Sequence, residues 1–245
     1  MSSTMIDAQG LGRKFGKNWV IRNMDLAVPE GSVYGLLGRN GAGKTTTIRM
    51  MFGLLKANEG QVSVAGAVPY RDPVALRRAV GYAGDDLGLY PRWTVNKVLR
   101  FASHVYEDWD KERAEKFVRQ FDLPLNKKVK TLSSGMKARL ILMLALVRRP
   151  KVLLLDEPFG GLDVVVRREV LEGLIDILPE SGSTVFVTSH LVHELERIVD
   201  HVGILRGGKI DFNGSLDDLR SSVRKVRLTW QGEEKRPQQY ESICR

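Results

Sequence analysis

The segment Gly38-Arg39-Asn40-Gly41-Ala42-Gly43-Lys44-Thr45 constrains this chain more than any other. It fits the spacing G-x-x-x-x-G-K-[ST] without departure. The short apolar run Val33 to Leu37 leads into it, and Lys44 to Leu54 has the composition of a helix. A buried strand, a glycine turn and a helix start form the context that this spacing requires. Gly41 and Gly43 let backbone N–H groups approach phosphate oxygens with no Cβ in the way. The helix N-terminus adds positive potential. Lys44 supplies a point charge for the β- and γ-phosphates of a nucleotide, and the Thr45 hydroxyl can hold Mg²⁺.

A second element complements the first. Val152 to Leu155 is an apolar run ending in Asp156 and Glu157. Acids at the carboxyl end of a buried strand lie beside the phosphate site of an α/β sheet. Asp156 is placed to coordinate Mg²⁺, directly or through water, and Glu157 to act as general base toward an attacking water. Read alone, such a strand is merely one that meets solvent; the phosphate loop gives it meaning.

Other classes are excluded on composition. The longest apolar run, Leu140 to Val147, is too short to cross a bilayer. The first residues, MSSTMIDAQG, lack the basic and apolar regions of a secretory signal. One cysteine, Cys244, allows neither an intrachain disulfide nor a cysteine-built metal site, so a reducing, cytoplasmic setting is expected. The net charge is +9, but basic residues are dispersed and no run of five occurs. That dispersal argues against a nucleic-acid arm, and no nucleic-acid partner is expected.

The 245 residues accommodate one large domain or two small ones. Met5 to Val28 reads as an extended pair turning near Gly16–Asn18. Strands are expected at Gln61–Val64 and Val80–Tyr82, with helical composition at Val74–Ala79. From Thr94 to about Val147 only helices are expected. The first carries Val95, Val98, Leu99, Ala102 and Val105 on one face. The second, capped by Asp110 and broken by Pro124, carries Ala114, Phe117, Val118 and Phe121. The third spans Ser134 to Arg149. Strand–helix alternation then resumes: β over Lys151–Leu155, α over Val164–Leu178, β over Thr184–Thr188, α over Leu191–Val199. A hairpin follows, Val202–Leu205 with Lys209–Phe212. The expected architecture is α/β, a mixed parallel sheet with an N-terminal antiparallel β subdomain and an inserted helical subdomain. Residues 4–220 form the expected domain, with the helical insertion at about 86–149. Residues 221–245 form a tail with one possible strand, Val223 to Trp230.

Five ordered motifs carry a family resemblance. Leu132-Ser133-Ser134-Gly135-Met136 resembles the LSGGQ signature of ATP-binding-cassette (ABC) ATPases. Gly161-Leu162-Asp163, after Asp156-Glu157-Pro158, resembles their D-loop, and Thr188-Ser189-His190 resembles their switch histidine. With the phosphate loop and acidic strand, the likeness covers roughly Met5 to Leu219. Gly88-Leu-Tyr-Pro91-x-x-Thr94-Val is similar to a segment of ABC-2-type exporter cassettes. Asp108-Trp-Asp110 and Phe121-Asp-Leu-Pro124 suggest their YtrB-like branch.

The resemblance implies an ATP- and Mg²⁺-dependent hydrolase, the ATPase subunit of a transporter. It would lie in the cytoplasm, peripheral on the inner face of the cell membrane, and work on a separate transmembrane permease. The implied loop contacts are Gly38, Asn40, Gly41, Gly43, Lys44, Thr45 and Thr46. Phe15 stands where the family stacks an aromatic on adenine; its other reading is a hairpin core residue. A second cassette is implied as partner, packed head to tail, so that Ser133 and Gly135 of one reach the γ-phosphate held by Lys44 of the other. His190 would bond the γ-phosphate, and Asp163 would link the two sites. One departure stands out: where the family carries Gln near Mg²⁺, this chain has Asp85, or Asp86 if the loop is registered one residue later. Tyr90, Trp93 and Trp109 allow two readings, a docking surface or ordinary packing. The alternative function is a soluble ABC ATPase without a permease. It is disfavoured because no long coiled-coil insertion, cysteine zinc site or tandem cassette is present.

Overall fold

Twelve residues on each side of the Gly16 turn pair as an antiparallel hairpin, β1 (Thr4–Phe15) and β2 (Asn18–Pro29). The chain then runs through β3 (Val33–Leu37) and α1 (Lys44–Met51) to β4 (Glu59–Val64), which pairs with the free edge of β1. The computed structural model describes residues 3–84, 88–190 and 195–222, with the backbone alone over 176–181. Beyond β4 come α2 (Pro73–Ala79), β5 (Val80–Gly84), α3 (Val95–Val105), α4 (Lys111–Gln120) and α5 (Ser134–Leu146). They are followed by β6 (Val152–Asp156), α6 (Val164–Ser181), β7 (Thr184–Ser189), β8 (His201–Arg206), β9 (Lys209–Ser215) and α7 (Leu216–Ser222).

Two sheets form. The small one is ordered β2-β1-β4; the larger is β5-β6-β7-β3-β8-β9, parallel except for β9. Every residue of β6 and β7 is buried, as expected for parallel strands covered on both faces. The pleat sends Val152 and Leu154 into the core shared with the small sheet and α1. Leu153 and Leu155 enter the core shared with α3 to α6. The large sheet is thus the middle layer.

Local chemistry explains the helical layer. Thr94, Asp110 and Ser133 each accept a backbone N–H of the first turn, capping α3, α4 and α5. Arg148 donates to both oxygens of Asp108 at 2.6 and 2.9 Å and holds that carboxyl below the usual carboxylate range. Its guanidinium also lies 4.2 Å from the Tyr106 ring centroid. This tie joins the loop before β6 to the loop after α3.

Several expected details change. Val105 is 55% exposed, while Val95, Val98 and Ala102 are buried. It falls at the edge of the apolar stripe, in the last turn of α3. α1 stops at Met51, short of Leu54, because Gly53 turns left-handed at φ +75°. α4 ends at Gln120, before Pro124, with Asp122 at φ +48°. α5 ends at Leu146, and Arg149 lies beyond it at φ +52°. Trp93 and Trp109 pack against the helical-layer core, whereas Tyr90 is exposed. The helix expected over Leu191–Val199 falls partly outside the described residues, and the strand Val223–Trp230 wholly so.

The large sheet and the helical layer meet closely at Gly81 of β5, where a Cβ would stand 2.3 Å from the Ala145 carbonyl oxygen of α5. Backbone on both sides leaves no flexible atom to yield. Gly81→Ala should therefore cost about 3 kcal/mol, the upper range for overpacking. Urea denaturation checks this as a lowered midpoint at unchanged slope.

Candidate active site

Three strands end together. Leu37 of β3 pairs with Ser189 of β7, and Thr188 of β7 pairs with Asp156 of β6. The residues that follow these ends are Gly38, His190 and Glu157. The Gly38 N–H donates to the Ser189 carbonyl at 3.3 Å, tying the loop to β7. Gly41 and Gly43 adopt φ +81° and +111°, backbone that a side chain rarely tolerates. A Cβ at Gly43 would also stand 2.4 Å from Ile21 Cδ1 of β2. α1 starts at Lys44 without a side-chain cap, which leaves its first N–H groups for an anion.

Lys44 is only 5% exposed. Its ammonium donates to the carbonyls of Gly38 at 2.7 Å and Arg39 at 3.3 Å. It also forms an ion pair with Glu157 Oε1 at 3.0 Å. The other carboxylate oxygen of Glu157 lies 2.9 Å from His190 Nδ1. A chain lysine–glutamate–histidine thus lines the mouth of the phosphate loop. Beside it, Thr45 Oγ1 donates to Asp156 Oδ1 at 3.1 Å. Thr188 Oγ1 donates to the same oxygen at 2.9 Å and accepts the Glu157 N–H at 3.0 Å.

Glu157 has φ +47°, a strained conformation for a residue with a side chain. The Thr188 hydroxyl and a turn closed by the Gly160 N–H on the Glu157 carbonyl hold it there. Thr188 is the residue that sequence reasoning passed over. Its place before Ser189-His190 is legible in the sequence, whereas its hydroxyl as a brace for both acids is a product of the fold. The available signal is a β-branched hydroxyl that follows the apolar Val185-Phe186-Val187 near the carboxyl end of the strand.

The structure therefore brings Lys44, Thr45, Asp156, Glu157 and His190 into one constellation. Asn40 is exposed at the loop tip and Thr46 half-buried in the first turn of α1. Phe15, at the tip of the small-sheet hairpin, is 48% exposed, which removes its reading as a core residue. Ser133 is exposed at the start of α5, and Gly135 is buried against α6, where a Cβ would meet Val166 Cγ1 at 2.2 Å. Asp163 caps α6, accepting the N–H groups of Val165 and Val166 at 3.0 Å. Asp85 lies outside the described residues; β5 ends just before it, at Gly84, paired with Asp156.

The chain is similar to known proteins in sequence and in fold. Residues 21–160 match the family model described as ABC transporter. The bacitracin transport ATP-binding protein BcrA of Bacillus licheniformis is 34% identical, over 91% of this chain and 74% of its own. The ABC transporter ATP-binding protein YtrB of Bacillus subtilis (strain 168) is 29% identical, over 92% and 77%. Among solved structures, an ATP-binding subunit of an ABC transporter superposes with a TM-score of 0.79 at 28% identity, covering 89% of this chain and 93% of that one. The dimeric ABC transporter cassette MJ0796 shares the fold, with a TM-score of 0.75 at 23% identity over 86% and 99%. With its phosphate loop, acidic strand and histidine converging as described, the chain belongs to the ABC transporter family, as an ATP-hydrolysing cassette.

Proposed function

We propose that this chain powers a transporter whose membrane-spanning part is a separate permease, and that residues 4–220 form the working unit. The observation that carries the reading is the Lys44–Glu157–His190 chain at the carboxyl ends of β3, β6 and β7. Phosphates of ATP replace Glu157 as the partner of Lys44, with the loop N–H groups and Thr46 around them. Phe15 takes the adenine. Released from Lys44, the Glu157 carboxylate accepts a proton from the water that attacks the γ-phosphorus, and His190 orients that water and the γ-phosphate.

The oxygens of Thr45 and Asp156, 3.1 Å apart, suit a hard cation that keeps most of its shell as water and phosphate. Mg²⁺ bound there supplies charge neutralisation of the β- and γ-phosphates. No helix among the described residues is long and apolar enough to cross a membrane. On this reading the cassette lies on the cytoplasmic face, held by the permease. Tyr90, Phe101 and Val105 give it an exposed apolar surface to be covered.

A second cassette completes the site. Ser133 stands exposed at the N-terminus of α5, where helix N–H groups favour an anion. Val164 and Val165 beside Asp163 are 77% and 67% exposed, apolar area suited to burial between copies. Head-to-tail packing sets Ser133 and the backbone of Gly135 on the γ-phosphate held by the partner's loop, with Asp163 joining the two sites.

Lys44→Ala should abolish high-affinity ATP binding while the fold is retained, as read by calorimetry and circular dichroism; undiminished affinity refutes the site. Glu157→Gln should slow hydrolysis by about two orders of magnitude or more, the worth of a positioned base. With ATP and Mg²⁺ this variant should sediment as a dimer, alone or with its partner cassette; a monomer throughout argues against the head-to-tail pair. Asp85, following the Gly84–Asp156 pair, is proposed as an additional oxygen toward Mg²⁺. Asp85→Gln should raise the Mg²⁺ concentration for half-maximal turnover and, by removing a like charge, raise ATP affinity in EDTA. No change in either measurement removes Asp85 from the metal site.

A further inference from the structure

The aromatic ring at the hairpin tip has a companion of its own. The Arg13 guanidinium carbon lies 4.7 Å from the Phe15 ring centroid. The far end of the same guanidinium donates to the Lys56 carbonyl at 2.8 Å, so it is anchored to the loop between α1 and β4. Its Nε is buried without a hydrogen-bond partner. The carbonyl and the ring face are therefore what hold the group in place. The strand around it is fixed to the same loop: the Asn58 N–H donates to the Gly12 carbonyl at 2.8 Å, and Asn58 Oδ1 accepts the Lys14 N–H at 2.9 Å.

This hairpin reaches the phosphate loop. Phe15 pairs with Asn18, and two residues on, the Val20 carbonyl oxygen lies 3.1 Å from where a Cβ would stand on Gly43. Phe15 is thus a ring on the hairpin that touches the phosphate loop, with a cation against it and nearly half its surface in solvent.

We infer that Arg13 is the positioning residue for base binding: it fixes the Phe15 ring and leaves its exposed surface for the adenine. The inference rests on the reading of Phe15 as the stacking residue. Two effects act together. A ring already immobilised loses less rotamer freedom when a base settles on it. A cation also draws π-density toward itself, so the opposite face repels the electron-rich base less. Neither effect reaches the phosphates, so Arg13 governs the base half of the nucleotide alone.

The test compares two probes on the full chain by calorimetry: ADP, which has a base, and inorganic tripolyphosphate, which has none. Arg13→Met keeps the length and removes the charge. It should weaken ADP by roughly three- to fivefold, the scale of a cation–π contact, and leave tripolyphosphate unchanged. Arg13→Lys, which retains a cation, should recover part of the loss. Phe15→Ala should weaken ADP by about tenfold or more, as lost stacking does, and Arg13→Met added to it should cost nothing further. Equal loss for tripolyphosphate would show a general structural role and overturn the inference. So would a full Arg13→Met loss in the Phe15→Ala background, or no loss with Phe15 present. If Phe15→Ala itself leaves ADP binding unchanged, the stacking reading fails first and the inference falls with it.

Discussion

A cation almost removed from water is stable only when oxygens enclose it, and Lys44 is such a cation. Its partners are the Gly38 and Arg39 carbonyls and the Glu157 carboxylate. Much of the surrounding structure follows from satisfying that demand. The loop turns through left-handed glycines, and its Gly38 and Arg39 carbonyls face the ammonium. Glu157 is delivered from β6 in a strained backbone conformation, braced by Thr188. Breaking a buried pair by removing one partner is costly, whereas exchanging one anion for another is not. In the proposed cycle a phosphate makes that exchange, and the lysine that holds the nucleotide and the carboxylate that takes the proton are released from each other in one event.

Close contacts at glycine keep this arrangement rigid. Gly81 lies under the Ala145 carbonyl, Gly43 against Ile21, and Gly135 against Val166. Each removes a Cβ that would hold two packed elements apart. The last contact changes how the signature segment is understood. Gly135 is needed within one chain, because α5 and α6 meet there, before any contact with a partner's nucleotide is considered. Ser133, two residues earlier at the N-cap of α5, is exposed, as is Ser134.

Part of this was open to reading along the chain. The phosphate loop, the acidic strand end and the caps at Thr94, Asp110 and Ser133 are local, and their spacing sets their geometry. The buried strand β6 declares itself as a continuous apolar run, and β7 by the apolar Val185-Phe186-Val187 at its centre. Helix ends were less legible. Gly53, Asp122 and Arg149 stop α1, α4 and α5 by turning left-handed or lying beyond the last turn, a backbone choice that composition did not announce. Val105 has the right residue type for the apolar face of α3, yet it is 55% exposed at the end of the helix.

The sequence by itself determined which groups are present for the chemistry: Lys44, Thr45, Asp156, Glu157 and His190, each at the end of a recognisable strand or the start of a helix. Tertiary structure alone decided how they meet. β7 lies between β3 and β6, so residues more than a hundred positions apart become neighbours, and the hydroxyl of Thr188 can brace two acids from the next strand. The pairing of Arg13 with the Lys56 carbonyl, and of Gly135 with Val166, is of the same kind. The physical reason is that local spacing fixes backbone and caps within a turn or two, whereas a counter-ion or a close van der Waals contact depends on strand order and layer packing.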